Sequence, residues 1–197
     1  MKTAIDHKIT KLITMREDVA KGEVFLITRL TSLKSIFETK AQVNDFASHV
    51  TRKTLLRISK TKPKYIDNWG QDIKLIKIAC TTVRKYLANP KQASTAELRD
   101  ILYRLEKIQG WGKNPWWSGQ LRIINNCYAL ILEDALCCIL EKDIDGRKIY
   151  DMAAHYVLAF SNSFGRDITK KSLPYIDDIL IYLRKNNKTI KAITTRG

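Results

Sequence analysis

Ser94-Thr95-Ala96-Glu97-Leu98-Arg99-Asp100-Ile101-Leu102-Tyr103-Arg104-Leu105-Glu106-Lys107-Ile108-Gln109-Gly110 contains a start, a face and a stop for one helix. Ser94 and Glu97 stand at capping-box spacing, so hydroxyl and carboxylate can satisfy amide groups that the first turn leaves unpaired. Leu98, Ile101, Leu102, Leu105 and Ile108 then fall on one side of a 3.6-residue period. Gly110 closes the segment as a helix C-terminal glycine does.

The same period extends in both directions. Ile5, Ile9, Leu12 and Ile13 make one apolar stripe; Leu26, Leu30, Leu33 and Phe37 make a second, with Gly22 as an undecided break between them. Val43, Phe46, Ala47 and Val50 carry the pattern to Lys62-Pro63, because proline disfavours helix at the residue before it. Asp67 or Asn68 is placed to cap a helix that runs to about Ala88, ahead of Asn89-Pro90. A helix over Ser118–Glu141 follows, then one from near Arg147. The last has Ser172 as its N-cap and Pro174 in its first turn. No alternating strand pattern and no internal repeat stands out. The expected class is all-α, a bundle of six to eight helices over residues 1–185, as one domain or two packed lobes divided near 62–68 or 110–118. Residues 186–197 read as a polar basic tail.

Charge is distributed unevenly over the 197 residues, whose formal net charge is +15. Residues 1–99 hold 20 basic and 9 acidic side chains, whereas residues 100–197 hold 15 and 11. Between Asp45 and Asp67 there is no carboxylate, yet Arg52, Lys53, Arg57, Lys60, Lys62 and Lys64 all lie there. Such a block repels itself and is best tolerated under a polyanion, and phosphates release condensed counterions when neutralised. The helix from Ile73 to Leu87 adds a second positive surface. Lys74, Lys77, Arg84 and Lys85 share an arc of about 100°, opposite Leu75, Ile76, Ala79, Cys80, Val83, Tyr86 and Leu87. A basic helical face alone is ordinarily solvated surface. Beside the acid-free block, nucleic-acid contact becomes the better reading. The ten expected nucleic-acid-binding residues are these six and these four.

Gly110-Trp111-Gly112-Lys113-Asn114-Pro115-Trp116-Trp117 gathers three tryptophans into one turn. Trp111, Trp116 and Trp117 fit a plug between helices, a protein interface or a stacking platform for bases, and the sequence leaves the three open. Glu141, Asp143, Asp145 and Gly146 imitate the start of a calcium loop, but Met152 stands where the bidentate glutamate belongs, which favours an acidic turn. Adjacent members of Glu133-Asp134 and Asp177-Asp178 point to different helix faces and cannot clamp one metal from a single helix. His7, His49 and His155 have neither zinc spacing nor, from Arg147 to His155, the Arg-to-His spacing of a helical RNase. Packing beside Tyr156 accounts for His155. No phosphate loop or nucleophile elbow occurs. The expectation is a non-enzyme without cofactor or metal.

Cys80, Cys127, Cys137 and Cys138 lack a disulfide framework and sit in apolar stretches, as reduced cysteines do in a reducing cytoplasm. Asp6 and its polar neighbours replace the apolar run of a signal peptide, and Cys127–Leu140 is too short and too charged to span a membrane. The expected location is cytoplasmic.

Taken with the basic block at residues 52–64 and the Lys74/Lys77/Arg84/Lys85 face, this all-α chain resembles the small subunit of type I CRISPR effector complexes (Cascade), which serve antiviral defence. The resemblance is one of overall character, without a diagnostic motif. It implies copies packed side by side in a ribonucleoprotein, lining a positive groove for the displaced DNA strand and supporting the RNA–DNA hybrid. R-loop exchange is nearly balanced in base-pair energy, so modest protein contacts tip it. The partners expected are single-stranded DNA or an RNA–DNA hybrid and other protein subunits. An adaptor for an acidic protein and a helical nuclease with an unrecognised site are the alternatives.

Overall fold

A computed structural model describes residues 4–60, 69–89, 93–109, 119–161 and 167–186. Its helices are α1 (Ala4–Lys21), α2 (Lys40–Lys60), α3 (Trp69–Ala88), α4 (Thr95–Gln109), α5 (Gly119–Leu140), α6 (Gly146–Ser161) and α7 (Leu173–Asn186). Two 3-10 segments, Ile27–Ser35 and Lys170–Ser172, join them. The all-α bundle read from the sequence is the architecture found. The two expected lobe boundaries and residues 187–197 lie outside the described residues.

The core forms around α5, whose side chains from Tyr128 to Ile139 pack toward α2, α3, α4 and α6. Each fully buried Leu or Ile contributes roughly 1.5–3 kcal/mol. In α4, Leu98, Ile101 and Leu105 are buried as expected, and the Glu97 amide donates to Ser94 Oγ at 3.1 Å, while the Ile108 side chain and Gly110, the expected stop, lie outside the described residues. In α3, Ile76, Ala79, Cys80 and Val83 face the core while Lys74, Lys77, Arg84 and Lys85 are exposed. Burial pushes the Cys80 and Cys138 thiols up to about 12, so both act as small hydrophobes at neutral pH. None of the described helices is long and apolar enough to cross a membrane.

The structure decides one open point, at Gly22, and corrects local expectations around it and further along the chain. Gly22, at φ 111°, ends α1 in a Schellman turn, with the Glu23 amide donating to the Asp18 carbonyl at 3.0 Å and the Gly22 amide to Val19 at 3.1 Å. The chain then forms an antiparallel ribbon, β1 (Phe25–Leu26) with β2 (Asp167–Ile168), in the register Phe25 to Ile168 and Leu26 to Asp167. Strands of two residues are too short to show alternation, which is why none was expected.

Next, the apolar stripe after Gly22 does not follow the α-helical period. Ile27, Leu30, Leu33 and Ile36 repeat every third residue and are buried, as a 3-10 helix of three residues per turn requires. Leu26, expected in the stripe, is 58 % exposed. Last, Ser172 stands immediately before α7, in the expected N-cap position, but its Oγ closes the preceding 3-10 turn by accepting the Thr169 amide at 3.2 Å.

The acidic turn between α5 and α6 supplies a helix cap. Asp145 Oδ1 accepts the Arg147 amide at 2.7 Å and starts α6. Gly146 lets α6 approach the 3-10 helix, since a Cβ there would lie 2.0 Å from the Lys34 carbonyl oxygen. Helix propensity alone predicts that Gly146→Ala stabilises the fold by about 1 kcal/mol. The backbone overlap predicts a loss of at least about 1–3 kcal/mol instead. Urea unfolding of the variant decides the sign, and a gain would show that the 3-10 helix can retreat from α6.

Candidate polyanion-binding cleft

The apolar face of α7, with Ile176, Ile179, Leu180 and Leu183 buried, also turns Asp178 inward, where it is 5 % exposed. Its carboxylate accepts Lys53 Nζ at 2.6 Å and Arg57 NH2 at 2.9 Å from α2, and the Tyr156 hydroxyl at 2.6 Å from α6. Burial works against the charged carboxylate, but the bonds from Lys53, Tyr156 and Arg57 outweigh it and hold the Asp178 pKa below its ordinary 3.8. The Arg57 guanidinium also lies 5.0 Å from the Tyr175 ring centroid.

This corrects the picture of a basic block without a neutralising carboxylate. Lys53 and Arg57, both expected to meet phosphate, are committed to Asp178 within the fold. Their partner lies more than 120 residues downstream, so no local charge count detects it. Neighbouring Asp177 faces the other way, as adjacency on a helix requires, and holds Arg16 through Nε at 2.8 Å and NH2 at 3.0 Å.

Arg52 behaves differently because one residue turns it about 100° from Lys53 around the helix. It is exposed and points into a cleft of about 970 Å³ formed by α2, α3 and α7. Arg84 and Lys85 come from α3, and Lys185 comes from α7. Among the described residues these four cations make no ion pair, and Asp45 is the carboxylate of the lining. Lys74 and Lys77 continue the exposed basic face of α3 beyond the cleft lining.

His49 is half-buried in the same cleft, its ring 5.1 Å from that of Tyr182. Its Nε2 lies 2.9 Å from the Asp178 carbonyl oxygen, which can only accept, so Nε2 carries the proton. Burial lowers the imidazole pKa from 6.5; the Asp178 carbonyl opposes this, and Lys53 and Arg52 add to it. The Tyr182 hydroxyl donates to the Gln42 carbonyl at 3.2 Å and fixes the wall behind His49.

Of the ten expected binding residues, the cleft brings together Arg52, Arg84 and Lys85. Lys60 ends α2 with its side chain outside the description, and Lys62, Lys64, Trp111, Trp116 and Trp117 lie outside the described residues. Sequence reading missed Lys185 and His49. A helical-wheel reading of Ala41, Asn44, Asp45, Ser48, His49 and Arg52 finds the polar stripe on α2, but its pairing with α7 has no local signal.

A second buried carboxylate, Asp134 on α5, binds His155 Nδ1 at 2.8 Å and Lys148 Nζ at 3.4 Å, both from α6. His155 is therefore held by a charge partner and not merely by packing near Tyr156. Among the described residues, no three His, Cys, Asp or Glu side chains come together as a metal site.

Searches of protein-family profiles, curated proteins and solved structures return no match to this chain.

Removing one partner of a buried ion pair costs about 3–5 kcal/mol. For Asp178→Asn the lower end is expected, because Lys53 and Arg57, with side chains 24 % and 33 % exposed, can turn partly to water. A depressed carboxylate pKa stabilises the fold above the unfolded value and loses that effect as pH falls through the native one. Wild type and variant should thus differ most at neutral pH and converge in acid below pH 3.8. Equal urea midpoints at neutral pH would refute the network's structural role.

Proposed function

We propose that this chain is a non-catalytic subunit that binds the phosphate backbone of nucleic acid, without reading base sequence, through the cleft between α2, α3 and α7. The observation that carries the proposal is the convergence of Arg52, Arg84, Lys85 and Lys185 from three helices, unpaired with any described carboxylate. Where this protein needs a cation for its own fold, it supplies a buried acid, as at Asp178 and Asp134. The cleft's cations have no such counterpart, and a regularly spaced polyanion supplies one.

Exposed Lys74 and Lys77 extend the same surface, so a strand leaving the cleft would meet further positive charge. Lys and Arg on phosphates contribute collectively and carry no base identity. Placement in a CRISPR effector complex, where such a surface would hold a displaced strand or hybrid, rests on the resemblance noted in the sequence. The cleft itself supports only the backbone-binding part of that reading.

The test is a salt titration of binding to a fluorescent single-stranded DNA, with duplex and hybrid competitors. Four phosphate contacts give a log–log slope of about −3 on a single strand, and Lys74 and Lys77 take it to about −4. Replacing Arg84 and Lys85 together by Glu should flatten the slope by at least about 1 and weaken unrelated sequences by similar factors. Negligible binding at low salt would refute the proposal and direct the search to an acidic protein partner. Strand cleavage would refute its non-catalytic part.

A further inference from the structure

Among the cleft's side chains, His49 is the one whose ordinary pKa falls near physiological pH. Its Nε2–H is engaged by the Asp178 carbonyl, and Nδ1 has no partner among the described residues. A second proton would therefore enter at Nδ1 and leave the Nε2 bond to α7 intact.

The charged and titratable groups that surround this imidazole or share its cleft come from every packed element. On α2 they are Asp45 one turn before it and Arg52 and Lys53 one turn after it; on α3 they are Arg84 and Lys85. On α7 they are Asp178, Tyr182 and Lys185, and Tyr156 of α6 reaches the Asp178 carboxylate behind them. Asp178 is already neutralised by Lys53 and Arg57, so in the free protein burial, with the positive field of Lys53 and Arg52 added to it, favours the neutral ring. A polyphosphate in the cleft reverses that field. It offsets Arg52, Arg84, Lys85 and Lys185 and brings negative charge beside the ring.

We infer that His49 is a fifth phosphate-binding group of the cleft, silent while neutral and engaged once protonated, so that affinity for nucleic acid strengthens as pH falls. This rests on the backbone-binding reading above. The protonated ring attracts phosphate and the neutral ring does not. Affinity therefore rises as pH falls through the imidazole's pKa in the complex, and levels off below its free-protein pKa, which lies under 6.5. Within that window one proton is taken up per complex, and the dissociation constant changes by up to about tenfold per pH unit.

The experiment measures fluorescence anisotropy of a labelled oligothymidine strand, whose bases do not titrate in the range, from about pH 8 to pH 5 at constant ionic strength. Wild-type protein should bind progressively more tightly across that range, whereas His49→Gln should show no such gain. In parallel, imidazole resonances of the wild-type protein are titrated with and without the strand, and the His49 pKa should rise when DNA is bound. This second readout decides the matter even if the variant fails to fold. Binding by both proteins with the same pH dependence, or an imidazole pKa unmoved by DNA, would overturn the role of His49 and leave backbone binding standing. Absence of binding at every pH would overturn both.

Discussion

A carboxylate taken out of water costs several kcal/mol unless each oxygen finds a donor, and much of this protein's arrangement follows from meeting that condition at Asp178. Its donors come from α2 and α6, so three helices must hold one mutual orientation for the charge to be tolerated. The apolar side chains of α7 drive the helix inward, but apolar packing tolerates sliding and rotation. A bonded ion cluster does not. The same residue's backbone carbonyl orients His49, so one position on α7 locks the helices and sets a side chain in the cleft.

The cluster also divides the cations of α2 between two tasks. Lys53 and Arg57, one turn apart, face α7 and stabilise the fold. Arg52, on a different side of the same turn, faces the cleft. A linear stretch of basic residues is thus two surfaces, and the second joins Arg84, Lys85 and Lys185 from other helices. Clustering them in one concavity raises the local positive potential above that of scattered surface charges.

Much of the secondary structure was legible because it depends on neighbours in sequence. The α4 segment carried its cap and its apolar face, and the dry and basic sides of α3 followed from periodicity alone. Where the structure departs from the sequence pattern, a short-range competitor decides. Ile27, Leu30, Leu33 and Ile36 repeat every three residues, and that spacing selects a 3-10 helix over an α-helix. Ser172 has the chemistry of an N-cap but satisfies the Thr169 amide before α7 begins. The candidate site was legible only in part: charge density located α2 and α3, whereas Lys185 and His49 depended on where α7 docks.

The sequence by itself determined the all-α class, the main helical segments and the excess positive charge, because propensity, periodicity and composition act over a few residues or over the whole chain. Tertiary structure alone decided which cations remain available to a ligand. An ion pair between residues more than 120 positions apart leaves no local trace. Its existence depends on the rotation of α2 against α7, which hydrophobic packing and the geometry of the Asp178 bonds fix together.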